Sequence, residues 1–351
     1  MKILILKPSS LGDVVHALPV ARLIRLRYPQ AEIHWWIGRG LMPLLHADPD
    51  VQRLIPFDRS RWGIPAGWGS VVTCVREMRA ARYDWVLDLQ SLARSGFVAW
   101  FANGAQTIGL DDPREGATAL YDIRVPRPSF HTHAVDWYLQ VLPHLDVPVH
   151  DRFEWMPRDP EAAVVVDSVW PKDGRRWIAL QPGARWWNKR WPVERFGELA
   201  KRLLSQDDSL GVVVLGDTGD RPLGETIARA AGPGCLDLTG QLSLPGMVEW
   251  LRRCDGLVTN DTGPMHVAVA LGVPVVALFG PTEPTRTGPY RQLDSVLRVD
   301  LDCAPCLKAS CRHAESMACL NRISLESVMQ KLAPVLAAPR CTSGRSPLRF
   351  P

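Results

Sequence analysis

No apolar run in this chain approaches the roughly 18 residues of a membrane-spanning helix, so a transmembrane anchor is not expected. The opening stretch, Met1-Lys2-Ile3-Leu4-Ile5-Leu6-Lys7, is apolar but only strand-length. Polar Lys7, Ser9, Ser10 and Asp13 follow it without a small-residue cleavage site, so it does not read as a secretory signal. Runs of basic residues are also missing: the formal net charge is a modest +4 and its cations are scattered. That argues against nucleic acid and still permits an acidic or phosphorylated substrate. The polar stretch at 260–266 is neither a Walker loop nor a dinucleotide glycine fingerprint. A cytoplasmic location is the expectation these absences leave.

What is present is the balance of a soluble globular protein, 46% hydrophobic and 22% charged. At 351 residues the chain exceeds one ordinary core, so two domains are expected. The fourteen Trp offer flat apolar surface suited to sugars or lipid, although most are expected in the core or at interfaces. The apolar pattern alternates strand and helix: strands at 3–6, 32–37, 51–56, 85–89 and 107–110, and helices at 14–27, 41–45, 72–79, 91–102 and 133–142. Such alternation predicts a parallel sheet covered on both faces. Residues 151–175 lie in a stretch rich in Pro, Asp and Val and read as an inter-domain region, with one helical piece at 160–168. The alternation then restarts, with strands at 177–181, 211–216, 235–238, 256–259 and 275–279 and helices between them. A last helix is expected from Ser324, and residues 339–351 read as a disordered tail. The expected domains are therefore 1–150, 176–323 and a C-terminal helix at 324–338.

Polar residues collect where strands end. Asn260-Asp261-Thr262-Gly263-Pro264-Met265-His266 joins a buried strand to an apolar helix that begins near Gly263. A helix N-terminus presents unpaired N–H groups and a positive dipole end, which suit a phosphate. Thr262, His266 and Asp261 can add a hydroxyl, a ring nitrogen and a carboxylate. A capped turn without a ligand fits this segment equally well. After the first strand comes Lys7-Pro8-Ser9-Ser10-Leu11-Gly12-Asp13, in which Gly12 permits close approach. Asp13 is either a helix cap or a general base that takes a proton from an acceptor hydroxyl. His16, one turn on, is a second candidate or a packing residue. Residues 181–192 (QPGARWWNKRWP) open the second half with Gly183 and the cations Arg185, Lys189 and Arg190. They suit a diphosphate, with Lys189 or Arg185 offsetting charge on a leaving phosphate; a solvated basic loop is the alternative. Asp217, in Gly216-Asp217-Thr218-Gly219-Asp220, either touches a nucleotide or shapes a turn, with the turn favoured. Residues 279–284 should border the same pocket.

Cys303, Cys306, Cys311 and Cys319 follow a C-x2-C-x4-C-x7-C spacing. Four thiols match the ligand number of a structural zinc or iron site, with His313 as a substitute ligand, but the spacing is not that of a zinc ribbon. Reduced thiols are the competing reading, since a cytosolic location disfavours disulfides.

With these segments assembled, the chain resembles glycosyltransferase family 9, the ADP-heptose:lipopolysaccharide heptosyltransferases. The likeness rests on residues 10–19 (SLGDVVHALP), 183–192 with its Lys-Arg-Trp-Pro, and 261–266. Residues 109–115 and 133–136 look like the branch that adds the first heptose, and the Cys-rich segment like the branch that adds the second. The resemblance implies an α/β GT-B fold, two Rossmann-like domains with parallel sheets facing across a cleft. It implies inverting transfer from an ADP-activated heptose to the lipopolysaccharide inner core, with no catalytic metal. Asp13 then looks like the base and Lys189 like the group on the donor phosphates. Asp261, Thr262, Gly263 and His266 look like donor contacts, joined by Gly12, Arg185 and Asp217 as candidates. Arg59, Arg61, Arg94 and Arg114, with His16, are candidates for an acidic glycolipid acceptor at the cytoplasmic face of the inner membrane. Competing readings are a member that glycosylates a protein or another glycan, a non-catalytic nucleotide-sugar-binding protein, and another GT-B enzyme that uses uridine nucleotides.

Overall fold

The computed structural model describes residues 1–58, 60 and 68–338. Arg59, Arg61 and the expected tail 339–351 lie outside the described residues. The chain divides into two compact units between Pro157 and Arg158.

In the first unit, β1 (Lys2–Leu6), β2 (Glu32–Gly38), β3 (Arg53–Phe57), β4 (Trp85–Asp88), β5 (Gln106–Asp111) and β6 (Ile123–Pro126) form one sheet in the order β3-β2-β1-β4-β5-β6. Every pairing is parallel, with Leu6 set between Trp36 and Asp88. Helices α1 (Leu11–Arg27), α2 (Trp68–Ala81), α3 (Ala93–Ala102) and α4 (Ala134–Leu139) complete the unit. The β1 sequence Ile3-Leu4-Ile5-Leu6 is continuously apolar because both faces are covered, and none of the four is exposed. Helix α1 begins three residues earlier than its apolar pattern suggests. The reason is a capping box, in which the Asp13 carboxylate reaches back to the Ser10 backbone N–H at 2.9 Å. Strand β6 was not anticipated; it has four residues, alternates with polar Arg124 and ends at Pro126.

The second unit repeats the plan with β7 (Arg176–Gln181), β8 (Leu210–Val214), β9 (Cys235–Asp237), β10 (Gly256–Asn260), β11 (Val275–Leu278) and β12 (Val296–Leu297), ordered β12-β11-β10-β7-β8-β9. Its helices are α5 (Pro160–Val169), α6 (Val193–Gln206), α7 (Arg221–Ala231), α8 (Leu244–Arg253), α9 (Gly263–Ala270), α10 (Pro284–Thr287), α11 (Ala318–Asn321) and α12 (Leu325–Ala337). Helix α5, from the stretch read as inter-domain, packs here: Arg253 of α8 reaches the Ala163 carbonyl at 3.3 Å and Asp167 at 2.6 Å. The core gathers Ile178, Leu180, Phe196, Leu199, Leu203, Val212, Val258 and Leu332. Each such side chain contributes about 1.5–3 kcal/mol by leaving water.

Both sheets follow one rule. Their order reverses between the first and fourth strands of the unit, at β1/β4 and at β7/β10. Chains leave those two strands toward opposite faces, which opens a crevice at their carboxyl ends where ligands bind in doubly wound sheets.

Candidate active site

Asp13 stands at the switch point of the first unit. Its Oδ2 accepts from the Ser10 N–H at 2.9 Å and the Ser10 hydroxyl at 2.7 Å, and Oδ1 accepts from the Tyr138 hydroxyl at 3.3 Å. The two roles foreseen for this carboxylate are therefore compatible, since it caps α1 and stays half-buried at the sheet edge. Tyr138 is almost fully buried on α4, and burial followed by the nearby Asp13 carboxylate pushes its phenol well above the ordinary range. It therefore donates throughout the physiological pH range. Beneath its ring lies the Lys7 ammonium, 4.6 Å from the centroid, which donates to the Leu89 carbonyl at 2.8 Å. Burial lowers the Lys7 pKa, and the carboxylates of Asp13 and Asp88 oppose that shift. No local signal marks Tyr138; it reaches Asp13 across 125 residues because α4 lies against α1.

The remaining acceptor candidates separate. His16 is buried, with its ring edge-on to His133 at 5.0 Å, as a packing residue would be. Arg114 is exposed on the turn after β5, held by Asp112 at 2.8 Å. Arg94 is exposed at the start of α3, 5.2 Å from the Phe57 ring at the end of β3. Both are on the carboxyl edge of the sheet that carries Asp13.

In the second unit the loops after β7 and β10 converge. Lys189 donates to Asp261 Oδ2 at 2.6 Å, and the Thr282 hydroxyl donates to the same oxygen at 2.6 Å. Asp261 is 6% exposed and Lys189 17%, so little water separates the charges. The Lys189 ammonium also lies 4.8 Å from the Trp186 ring centroid. Asn260 ties the loops together by donating to the Pro182 carbonyl at 2.7 Å and accepting from the Trp191 N–H at 3.0 Å. Thr262 is the N-cap residue of α9, with Pro264 in the first turn, where a missing N–H costs nothing. His266 is buried one turn in. Arg185, on the same loop, is exposed.

Asp217 is a turn residue: it caps the short turn after β8, accepting from the Gly219 N–H at 2.7 Å. The close approach in this region belongs to Asp220, because a Cβ on Gly183 would come within 2.1 Å of its carboxylate. A side chain at position 183 would have to displace that carboxylate. Thr282 fell inside a segment expected to border the pocket, but its bond to Asp261 could not be read from sequence.

Among the described residues no group of three or more His, Cys, Asp or Glu is arranged to hold an ion. Cys303 is exposed, Cys311 accepts from the Met317 N–H at 3.3 Å, and Cys319 packs toward Gly280 beside the core. The four thiols nevertheless lie near one another: burial and then the charges of Cys311, Cys303 and Cys306 raise the Cys319 pKa.

Two doubly wound parallel units in one chain, each with its polar residues at its own switch point, are the GT-B architecture of nucleotide-sugar-dependent glycosyltransferases. The chain belongs to glycosyltransferase family 9 (heptosyltransferase), whose family model matches residues 71–316. Lipopolysaccharide heptosyltransferase 1 of Pseudomonas aeruginosa is 30% identical over 97% of this chain and 99% of its own. Lipopolysaccharide heptosyltransferase 2 of Escherichia coli is 30% identical over 85% of this chain and 88% of its own. Among solved structures, Escherichia coli ADP-heptose LPS heptosyltransferase II superposes with a TM-score of 0.75 at 26% identity, covering 96% of this chain and 98% of that one. The Escherichia coli heptosyltransferase WaaC solved with ADP gives 0.76 at 23% identity, covering 95% and 100%, a likeness of fold.

Proposed function

We propose that this glycosyltransferase moves a heptose from ADP-heptose to a hydroxyl of the lipopolysaccharide inner core, with inversion, at the cytoplasmic face of the inner membrane. The relatives above are named as lipopolysaccharide heptosyltransferases, and one of the solved structures as an ADP-heptose enzyme. The observation that carries the reading is the Lys189 ammonium fixed at 2.6 Å by Asp261, beside the N-terminus of α9. As the bond from sugar to phosphate breaks, negative charge grows on the departing ADP. A preoriented cation and a helix N-terminus stabilise that charge without reorganising at the moment of reaction. Asp261 is an unsuitable phosphate ligand by its sign, so its role is to aim Lys189, with Thr282 holding the carboxylate in turn.

Asp13 removes the proton of the attacking hydroxyl. Ser10 and Tyr138 occupy three of its acceptor positions and fix its direction. A positioned base of this kind contributes about 10²–10⁴-fold. Arg94 and Arg114 supply positive charge for an acidic acceptor on the same sheet edge. Lys189 carries the leaving-group charge, so the transfer needs no metal ion. The experiment is ADP release from ADP-L-glycero-D-manno-heptose with Kdo-lipid A or with heptosyl-Kdo-lipid A. Release with one acceptor assigns the branch, and release with neither refutes the proposal.

A further inference from the structure

We infer that the outward face of α3 is a docking surface for an anionic lipid bilayer. The inference rests on the reading above that the acceptor is a glycolipid. Helix α3 is fixed by its inner face, where Ser95, Gly96, Val98, Ala99 and Ala102 are buried. Gly96 sits so close to the turn Ala117–Leu120 that a Cβ there would lie 2.9 Å from the Ala117 Cβ. With that face committed, the aromatic residues point out: Phe97 is 52% exposed, Trp100 56% and Phe101 41%. They recur at three- and four-residue spacing, so they form one patch, with the Trp100 and Phe101 rings 4.9 Å apart. Neighbouring α2 adds Val72 at 46% exposure.

On the two helices exposed cations outnumber carboxylates. Arg94 is exposed at the start of α3, and α2 exposes Arg76 and Arg79. Helix α3 has no acidic residue, and the one on α2, Glu77, is held by Arg53 at 2.6 Å. The Glu115 carboxylate at the helix start accepts the Ala93 N–H at 3.0 Å. Aromatic rings at the level of the headgroups with Arg on the flanks are the pattern of a helix lying in a membrane interface, and the cations complement anionic headgroups. A second copy of this chain fits the patch less well. Three half-exposed aromatic side chains offer about 300 Å², taking about 200 Å² for each ring, against the roughly 800 Å² per partner of a stable interface.

The test is co-sedimentation of the full chain with vesicles of phosphatidylcholine alone and of phosphatidylcholine with phosphatidylglycerol. The wild type should pellet with the anionic vesicles and be released by salt. Phe97→Ser/Trp100→Ser should lower that partition about tenfold. It should also keep wild-type turnover of a deacylated, water-soluble acceptor while losing turnover of the same acceptor embedded in vesicles. Arg76→Glu/Arg79→Glu provides a second variant outside the packed face, with the same expected loss of binding. Equal pelleting of wild type and both variants overturns the inference. So does a wild type that ignores anionic vesicles, or one that forms dimers which the Ser variant abolishes. Absence of turnover on the soluble acceptor by the wild type counts instead against the proposed activity, because vesicle binding is read without it.

Discussion

Replacing Lys189 with Ala should damage stability and donor binding together, and to different degrees than replacing Asp261. The pair is joined at 2.6 Å, with side-chain exposures of 17% for Lys189 and 6% for Asp261. Removing the amine leaves a buried carboxylate still held by the Thr282 hydroxyl. Breaking a buried pair from one side costs about 3–5 kcal/mol, and the surviving Thr282 bond places this case near the lower end, about 3 kcal/mol. At about 2–4 °C per kcal/mol, the melting temperature should fall by about 6–12 °C. Asp261→Ala should cost less, about 1–2 kcal/mol, because the longer Lys189 side chain can carry its charge toward solvent or over the Trp186 ring. The double variant should recover part of the loss, with a coupling of about 1–3 kcal/mol in the cycle. ADP titrations should separate the roles further. Lys189→Ala loses a charge-assisted contact and should weaken ADP binding about 10–100-fold. Asp261→Ala keeps the cation and should weaken it less than about tenfold. Unchanged ADP affinity in Lys189→Ala, or a greater stability loss in Asp261→Ala, would refute the clamp.

Tyr138→Phe removes one donor to Asp13, and a 3.3 Å bond to a carboxylate should be reflected in a kcat loss of about tenfold with donor KM unchanged; a wild-type kcat would remove Tyr138 from the site. Gly183→Ala drives a methyl into the Asp220 carboxylate, so overpacking should cost about 2 kcal/mol and lower the melting temperature by about 4–8 °C, checked by calorimetry. Among the described cysteines, iodoacetamide at neutral pH should label exposed Cys303 well before Cys74 or Cys235, whose thiols burial pushes up to about 11 and about 12. Peptide mapping that found Cys74 or Cys235 labelled first would contradict the burial described.

The sequence exposed the features that are local. Ile3–Leu6 and Gly256–Thr259 read as buried strands because a doubly covered parallel sheet leaves no polar face. The polar residues just past them, Asp13 and Asp261, stood out against the apolar runs. The Ser10-x-x-Asp13 capping pair was also there to be read, yet apolar periodicity alone started α1 at Val14. Features that depend on packing across the chain were hidden. The order of the strands places the β1/β4 and β7/β10 loops at the two switch points, and alternation says nothing of order. Tyr138 and Thr282 find their carboxylates 125 and 21 residues away. Strands β6 and β12 are too short, at four and two residues, to show a period. Phe97, Trp100 and Phe101 carry the composition of a core helix, and only the buried opposite face of α3 shows that they point outward. The four clustered cysteines stay near one another in the fold, where three of them act on the Cys319 thiol, although among the described residues no group of three or more His, Cys, Asp or Glu is arranged to hold an ion.

The central claim is that Asp13 is the base of a heptosyl transfer, and Asp13→Asn tests it most directly. Asn keeps an oxygen able to accept from Ser10, so the α1 cap is retained, whereas Ala would add a capping loss of about 1 kcal/mol. The expected kcat is lower by about 10²–10⁴ with ADP-heptose and the lipid acceptor, and the donor dissociation constant stays within about twofold of wild type. A kcat within about tenfold of wild type would contradict that claim.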